Sequence, residues 1–167
     1  MEFFTVIQER HSTRAFLDKE VEEEKIHKVL EAANLAPSAH NLQSYKIYLA
    51  KDKKTKDRLV WASLYNQKFI GQAPVVLVFV SCSKPGDSRS GFYSLQDATV
   101  ACYQAWLSAV DLGLSAVWVG AFDDKKVAEI LKLEDSQEPV AILPVGYAGE
   151  IPKKTQRKLL DELVVKV

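Results

Sequence analysis

The sequence contains little cysteine, no excess of either charge and no long apolar run. Its two cysteines, Cys82 and Cys102, lie far apart, and neither has a Cys or His nearby at the spacing of metal ligands. This pattern predicts neither a zinc site nor a disulfide framework. The 22 basic and 22 acidic side chains cancel, so no net field attracts nucleic acid or an anionic membrane. The longest uncharged stretches, 69–83 and 98–110, are shorter than the roughly 18 to 20 residues that span a bilayer.

Glycine is also scarce, and the seven glycines form neither G-x-G-x-x-G nor G-x-x-x-x-G-K-[ST]. The dinucleotide fingerprint and the P-loop are therefore both excluded. At the N-terminus, Glu2 precedes Phe3 and no basic region is followed by a long apolar run, so a signal peptide is not predicted. We expect a cytoplasmic protein without nucleic-acid or membrane partners.

The chain does contain enough apolar sequence for a folded core. Apolar residues make up 47% and charged residues 26% of the 167 positions, as in ordinary globular proteins. No internal repeat and no linker rich in Pro, Gly or Ser divides the chain, which predicts a single domain over residues 1–167.

Hydrophobic periodicity predicts a sheet with helices packed around it. Helices are predicted from the N-terminus to about Glu9 and over 21–35, 54–65, 92–112 and 124–131, and strands over 45–50, 75–80, 116–119 and 140–145. Segment 92–112 is apolar on nearly every side, which is typical of a long buried central helix. The tail after Pro152 has an apolar face within 159–164 that needs a cover.

Two cations and a hydroxyl alternate along one short segment. If residues 10–16 are extended, Arg10, Ser12 and Arg14 point the same way. Such a face suits a phosphate and a second electron-rich group, because guanidinium binds oxyanions bidentately and keeps its charge. The alternative is a solvated stretch that pairs with nearby acidic side chains, namely Glu9, Asp18 and Glu20.

Two further segments have the composition of binding loops. Segment 37–43 is polar and lies between a predicted helix and a predicted strand, where binding residues concentrate. Segment 119–122 leaves a strand at small residues, which would let a flat ring approach backbone N–H groups. A plain loop and an ordinary turn are the alternatives. A serine hydrolase is disfavoured, because the Ser and His residues of these segments occur without a G-x-S-x-G elbow.

Taken together, these segments resemble the FMN-dependent nitroreductase family, as a short single-domain member. The matching stretches run in order along nearly the whole chain: Arg10-His11-Ser12-Thr13-Arg14-Ala15-Phe16 (R-x-S-x-R/K-x-F), Ala36-Pro37-Ser38-Ala39-His40-Asn41-Leu42-Gln43 (A-P-S-x-x-N-x-Q), Leu112-Gly113-Leu114 with 117–122, then 139–146 and 157–163. Two ordered motifs are much stronger than either alone.

The resemblance implies an α+β fold with a mostly antiparallel central sheet flanked by helices, and a homodimer that exchanges C-terminal arms. FMN would lie at the subunit interface. The implied cofactor-binding residues are Arg10 and Arg157 at the phosphate, Ser12 at the ribityl or pyrimidine end, Arg14 near N1 and O2 of the flavin ring, Asn66 as a polar contact, the backbone of Gly120 and Ala121 facing N5, His11, and Pro37, Ser38, Ala39 and Asn41 from the partner subunit. No metal and no catalytic side chain is implied, because the flavin carries the chemistry.

The implied activity is oxidation of NADH or NADPH through FMN, in ping-pong order, with a nitroaromatic, a quinone or a similar small molecule as electron acceptor. Two alternatives stay open. One is a protein that stores FMN with little turnover, and the other is specialised flavin chemistry such as reductive dehalogenation. The short segment 83–91 implies an open pocket, since larger relatives insert helices there.

Overall fold

Four strands form one antiparallel sheet in the order β1-β2-β4-β3. A computed structural model of the chain describes residues 1–83, 88–153 and 155–167. The strands are β1 (Tyr45–Ala50), β2 (Val75–Cys82), β3 (Ser115–Ala116) and β4 (Gln137–Gly146), and the helices are α1 (Phe3–Glu9), α2 (Glu23–Asn34), α3 (Lys53–Ala62), α4 (Phe69–Gln72), α5 (Ser88–Asp111) and α6 (Asp124–Leu131). The α+β fold predicted from the sequence is confirmed.

The central strand β2 is buried on both faces, which explains its unbroken apolar sequence. Side chains alternate across a strand. Leu77 and Phe79 accordingly enter the core beneath α2 and α5, whereas Val78 and Val80 enter a second core beneath α3, α4 and α6. The two cores hold the sheet between two layers of helices.

Several element boundaries differ from those predicted. Strand β1 and helix α6 begin and end where predicted, but α4 was not predicted and α5 begins at Ser88. Helix α3 ends at Ala62 rather than at residue 65, because Leu64 donates its N–H to the oxygen of Ala121 (2.8 Å). The strand predicted over 116–119 is confined to Ser115–Ala116, with a separate bridge from Val119 to Ile142.

Helix α5 has one buried face and one exposed face within a single chain. Ala98, Ala101 and Ala105 are fully buried on the inner face, whereas Phe92 is 61% exposed and Leu95 is 48% exposed. The predicted long central helix is confirmed, with its inner face buried and its outer face exposed in the isolated chain. The sequence of α5 has no continuous polar face, so its outer side could not be recognised from the hydrophobic pattern.

The C-terminal tail projects apolar side chains into solvent. Leu159, Leu160, Leu163 and Val164 are each more than half exposed, and the described part of the tail contains one helical turn, Leu160–Glu162. Within the described part of the tail, every hydrogen bond joins residues of the tail itself. Across the described ranges, no helix has the length and apolar character needed to cross a membrane.

Candidate functional site

The segment after α1 is extended and presents alternate side chains to solvent. Arg10 ends the helix by donating its N–H to the oxygen of Val6 (2.9 Å). Thr13 is buried, and its N–H donates to the oxygen of Ala116 (3.2 Å). Because side chains alternate along extended backbone, burial of Thr13 turns Ser12 and Arg14 outward, as predicted.

These outward side chains line a cleft that also receives the C-terminal segment. The cleft has a volume of about 480 Å³, and we call it the cationic cleft. Its lining residues are Arg10, His11, Ser12, Arg14, Glu150, Pro152, Lys153, Thr155 and Arg157. Four permanent cations therefore face one carboxylate, which favours an anionic occupant. The fold thus brings the predicted N-terminal residues together with Arg157, although most of the chain separates them in sequence.

The cleft arginines have few partners of their own. Within the described ranges, the side chains of Arg10 and Arg157 take part in no hydrogen bond or ion pair, and the guanidinium of Arg14 reaches only the backbone oxygen of Ser12, at 3.5 Å. The carboxylate of Glu150 instead accepts the backbone N–H of Arg14, at 2.5 Å. No described ion pair joins these arginines to Glu9, Asp18 or Glu20, so the alternative of a self-paired surface stretch is not supported.

Aromatic side chains of α5 lie against Arg10, one of the residues that line the cationic cleft. The guanidinium carbon of Arg10 lies 4.5 Å from the centroid of the Trp106 ring, which is itself buried on α5. Tyr103 meets the same ring edge-on, at 6.5 Å between centroids, and lines the neighbouring cleft of about 510 Å³ together with Arg10 and Arg157. Sequence analysis did not single out Trp106, because one aromatic residue in an apolar helix is usually only part of the core.

Loop 37–43 lies outside the cationic cleft of the same chain. Its backbone is left-handed at His40, Asn41 and Gln43, with φ of 51°, 56° and 49°. Side chains with a Cβ rarely adopt these angles, so surrounding bonds must hold the loop. The hydroxyl of Ser38 accepts the N–H of Gln43 at 3.0 Å, and the side-chain amide of Gln43 donates to both oxygens of Asn41.

A buried carboxylate anchors this loop to α5. Asp97 is 4% exposed, and its Oδ1 accepts the backbone N–H of Ala39 at 2.9 Å. Its Oδ2 has no hydrogen-bond partner among the described residues. Burial raises the pKa of Tyr45 above its usual value, and the charge of Asp97 makes a smaller contribution in the same direction. Sequence analysis missed Asp97, although a lone carboxylate within an apolar helix is a signal that could have identified it.

The predicted contacts Asn66, Gly120 and Ala121 form a third group. Turn 63–67 is left-handed at Tyr65 (φ 66°) and Asn66 (φ 49°). The side-chain amide of Gln67 donates to the oxygen of Ala121 at 3.1 Å, which fixes the turn against the strand exit. A Cβ on Gly120 would meet only ordinary contacts, 3.4 Å from Trp118 Nε1, so nothing among the described residues requires glycine there.

The hydrogen bonds given for the described serine and histidine side chains show no hydrolase arrangement. His11 Nδ1 lies 2.6 Å from the backbone oxygen of Glu9, and no described hydrogen bond joins a serine hydroxyl to a histidine ring. No group of metal-ligating side chains occurs within residues 1–83, 88–153 and 155–167. The strongest chemical feature of the described chain is therefore the cationic cleft.

Comparison with known proteins agrees with this description. Residues 7–64 and 60–147 match the sequence model of the Nitroreductase family. A relative from Methanothermobacter thermautotrophicus, whose name pairs NADH dehydrogenase with NAD(P)H nitroreductase, is 31% identical over 156 residues, covering 91% of this chain and 80% of that protein.

Two solved structures share the fold over almost the whole chain. NfrA2 of B. megaterium superimposes with a TM-score of 0.93 at 26% identity, covering 99% of this chain and 74% of that one. An FMN-dependent nitroreductase from Clostridium difficile R20291 has a TM-score of 0.85 at 28% identity, and 98% of each chain is covered. A family match over most of the chain, a relative above 30% identity and the shared fold lead to one conclusion: the chain belongs to the nitroreductase family.

Proposed function

We propose that this chain is an FMN-dependent NAD(P)H oxidoreductase. The observation that carries the proposal is the convergence of Arg10, Ser12, Arg14 and Arg157 on one cleft. The names of the relatives add support, since one is an NAD(P)H nitroreductase and another is FMN-dependent.

The residues of the cationic cleft fit the anionic end of FMN. Arg10 and Arg157 have no competing partners among the described residues, so their N–H groups are free to receive phosphate oxygens. We assign the phosphate to this pair, with His11 beside it. Ser12 would bond the ribityl chain or the pyrimidine edge of the flavin. Arg14 would lie near N1 and O2, where a positive charge stabilises the reduced anion and raises the reduction potential.

The remaining contacts are assigned to two other surfaces. Asn66 and the backbone of Gly120 and Ala121 lie together, and we assign them to the polar edge of the ring and to N5. Pro37, Ser38, Ala39 and Asn41 line neither the cationic cleft nor this turn within one chain. They are assigned to the site of a partner subunit.

A homodimer also accounts for the apolar surface of the single chain. The outer face of α5 and the C-terminal tail expose large side chains on a chain whose net charge is zero. Extended apolar surface of this kind is typical of interaction sites. We assign the outer face of α5 to the subunit interface and the tail to the surface of the second subunit.

The chain supplies binding and electrostatic tuning, and the cofactor supplies the redox chemistry. FMN held by Arg10, Arg14 and Arg157 would supply hydride-transfer chemistry between NADH or NADPH and an acceptor such as a nitroaromatic or a quinone, with one substrate bound after the other. Segment 83–91, on which the expectation of an open pocket depends, includes residues 84–87, which lie outside the described residues.

The test is the visible spectrum of the purified protein before and after anaerobic addition of NADH and, separately, NADPH. We expect a yellow protein that releases FMN on denaturation, bleaches with one of the two nucleotides and recovers its colour with a quinone. Bound FMN that neither nucleotide bleaches would support flavin storage instead. A colourless protein that cannot be reconstituted with FMN would overturn the proposal.

A further inference from the structure

We propose that Trp106 is a positioning residue that holds Arg10 in place for the FMN phosphate, an inference that rests on the proposed function. The guanidinium carbon of Arg10 lies 4.5 Å from the centroid of the indole ring. At this distance the negative face of the ring attracts the cation. Trp106 itself belongs to the core beneath α5 and is 6% exposed, so the ring is fixed by packing.

The side chain of Arg10 has no other restraint among the described residues. Its backbone is fixed where α1 ends, but no described carboxylate or carbonyl receives its guanidinium. An unrestrained arginine loses much side-chain entropy when it binds an anion, and restraint before binding reduces that loss. The ring restrains the cation without neutralising it, whereas a carboxylate partner would compete with phosphate.

Hydrogen bonding by the indole does not explain why position 106 is a tryptophan. Its Nε1 is buried and has no partner among the described residues. A buried donor without a partner lowers stability, so an apolar side chain would serve the core better at this position. The feature that an apolar aliphatic residue cannot supply is the ring face beneath Arg10.

The experiment compares dissociation constants for FMN and for riboflavin, which lacks the phosphate, in the dimeric protein freed of flavin. Trp106→Leu should weaken FMN binding about 3- to 30-fold, because the cation–π attraction is lost. Riboflavin binding should change by less than about twofold. Trp106→Phe keeps a ring face and should stay within about threefold of the wild-type protein for both ligands.

Two comparisons separate positioning from a general effect on folding. In an Arg10→Ala background, Trp106→Leu should produce no further loss of selectivity for FMN over riboflavin, because the two residues act as one unit. Trp61→Leu is the matched control, since Lys126 Nζ lies 4.2 Å from that exposed ring, away from the cationic cleft. This control should leave the selectivity unchanged.

A second measurement applies if Trp106→Leu does not fold. Replacing all three tryptophans by increasingly fluorinated tryptophan keeps the shape of each ring and weakens its negative face. Selectivity for FMN should fall stepwise in the otherwise wild-type protein and stay constant in Trp106→Phe. Equal losses of affinity for FMN and riboflavin, or a selectivity that stays constant in every fluorinated protein, would overturn the positioning role of Trp106. Neither result would bear on the proposed function. Wild-type protein that binds riboflavin as tightly as FMN would overturn the phosphate site and the proposed function with it.

Discussion

The cationic cleft and the two left-handed segments, loop 37–43 and turn 63–67, are built by opposite means. In the cleft the backbone is relaxed and extended, and the side chains carry charges that have few partners. In the two segments the side chains are mostly uncharged, and the backbone adopts angles that only surrounding hydrogen bonds maintain. One region offers unpaired charge, and the other offers fixed geometry.

This difference shows how one region of a binding site can supply affinity for a ligand while another region sets the ligand's orientation. Unpaired cations contribute affinity for any suitably placed anion, whereas a constrained backbone positions donors and acceptors around a particular shape. Under the proposed function, substitutions of the phosphate arginines Arg10 and Arg157 should weaken the binding of FMN and spare that of riboflavin. Substitutions that disturb the left-handed segments should affect both flavins alike.

The largest expected effect comes from removing both phosphate arginines. Arg10→Ala with Arg157→Ala should weaken FMN binding by about 100-fold or more, because hydrogen bonds between charged groups contribute about 1.5 to 3 kcal/mol each. Titration of the two flavins measures the effect. Riboflavin affinity should stay within about twofold of the wild-type value.

Arg58→Ala is the control for a general loss of positive charge. Arg58 pairs with Glu129, 3.7 Å away, on the surface of α3 and outside the cationic cleft. It should leave both affinities unchanged. Parallel losses of FMN and riboflavin binding in the double variant would contradict the division between the two regions.

A smaller effect is expected at the anchor of loop 37–43. Asp97→Ala leaves the partly buried N–H of Ala39 without its acceptor, which costs about 1 kcal/mol, the lower end of the range for an unpaired buried donor. We expect the free energy of unfolding in urea to fall by that amount, with equal losses of FMN and riboflavin affinity. Asp97→Asn retains an acceptor oxygen and should stay close to the wild-type protein in both measurements. Wild-type stability for Asp97→Ala would show that the loop holds its shape without this bond.

Turn 63–67 should respond to backbone preference to a similar extent. Asn66 has a φ of 49°, a region that asparagine tolerates, glycine prefers and alanine avoids. Asn66→Ala should therefore be about 1 kcal/mol less stable than Asn66→Gly. Both variants lose the same side-chain amide, so any difference in flavin affinity between them reports the geometry of the turn. Equal stability in thermal unfolding would mean that the left-handed angle costs nothing there.

The smallest expected effect is a pH dependence at the contact between Glu22 and Tyr147. The hydroxyl of Tyr147 donates to the carboxylate of Glu22 at 2.7 Å and lowers the pKa of that carboxyl below its ordinary value of 4.5. A carboxyl whose pKa is lowered by folding adds stability above its ordinary pKa, and this is lost as pH falls through the folded value. The backbone oxygen of Tyr147 also accepts the N–H of Leu17, which fixes the segment that follows Arg14.

Thermal unfolding between pH 7 and pH 3 measures this effect. The melting temperature of the wild-type protein should fall more steeply below about pH 4.5 than that of Tyr147→Phe. Parallel curves for the two proteins would remove Glu22 as the source. Lys53→Ala, which breaks a surface pair with Asp57 on α3, is a control that should follow the wild-type curve.

The contrast between the cationic cleft and the two left-handed segments also explains how much of the structure could be predicted from the sequence. Strand β2 was predictable because a run buried on both faces must be apolar throughout, and α6 because Asp123 caps it by accepting the N–H of Lys126. The N-terminal side of the cationic cleft was predictable because alternation along extended backbone places Ser12 and Arg14 on one side, whereas Arg157 was expected only from the family resemblance.

The rest depends on long-range pairing that local pattern does not contain. The early end of α3 follows from a hydrogen bond to Ala121, distant in sequence. The left-handed angle at Gln43 has no local signal, since Asn, Asp and His are the residues with a side chain that favour this region and Gln is not among them. The anchoring role of Asp97 could be seen only once α5 lay beside loop 37–43.

The position of Arg157 gives the C-terminal tail a thermodynamic link to the rest of the protein. Arg10 lies at the end of a helix packed on α5, whereas Arg157 belongs to a tail whose described hydrogen bonds are all internal. An anion that bridges the two arginines binds the tail to the folded body, and its binding free energy then adds to the docking of the tail. Resistance of the peptide bonds beyond Ile151 to a protease would accordingly increase with the concentration of FMN and be unaffected by riboflavin.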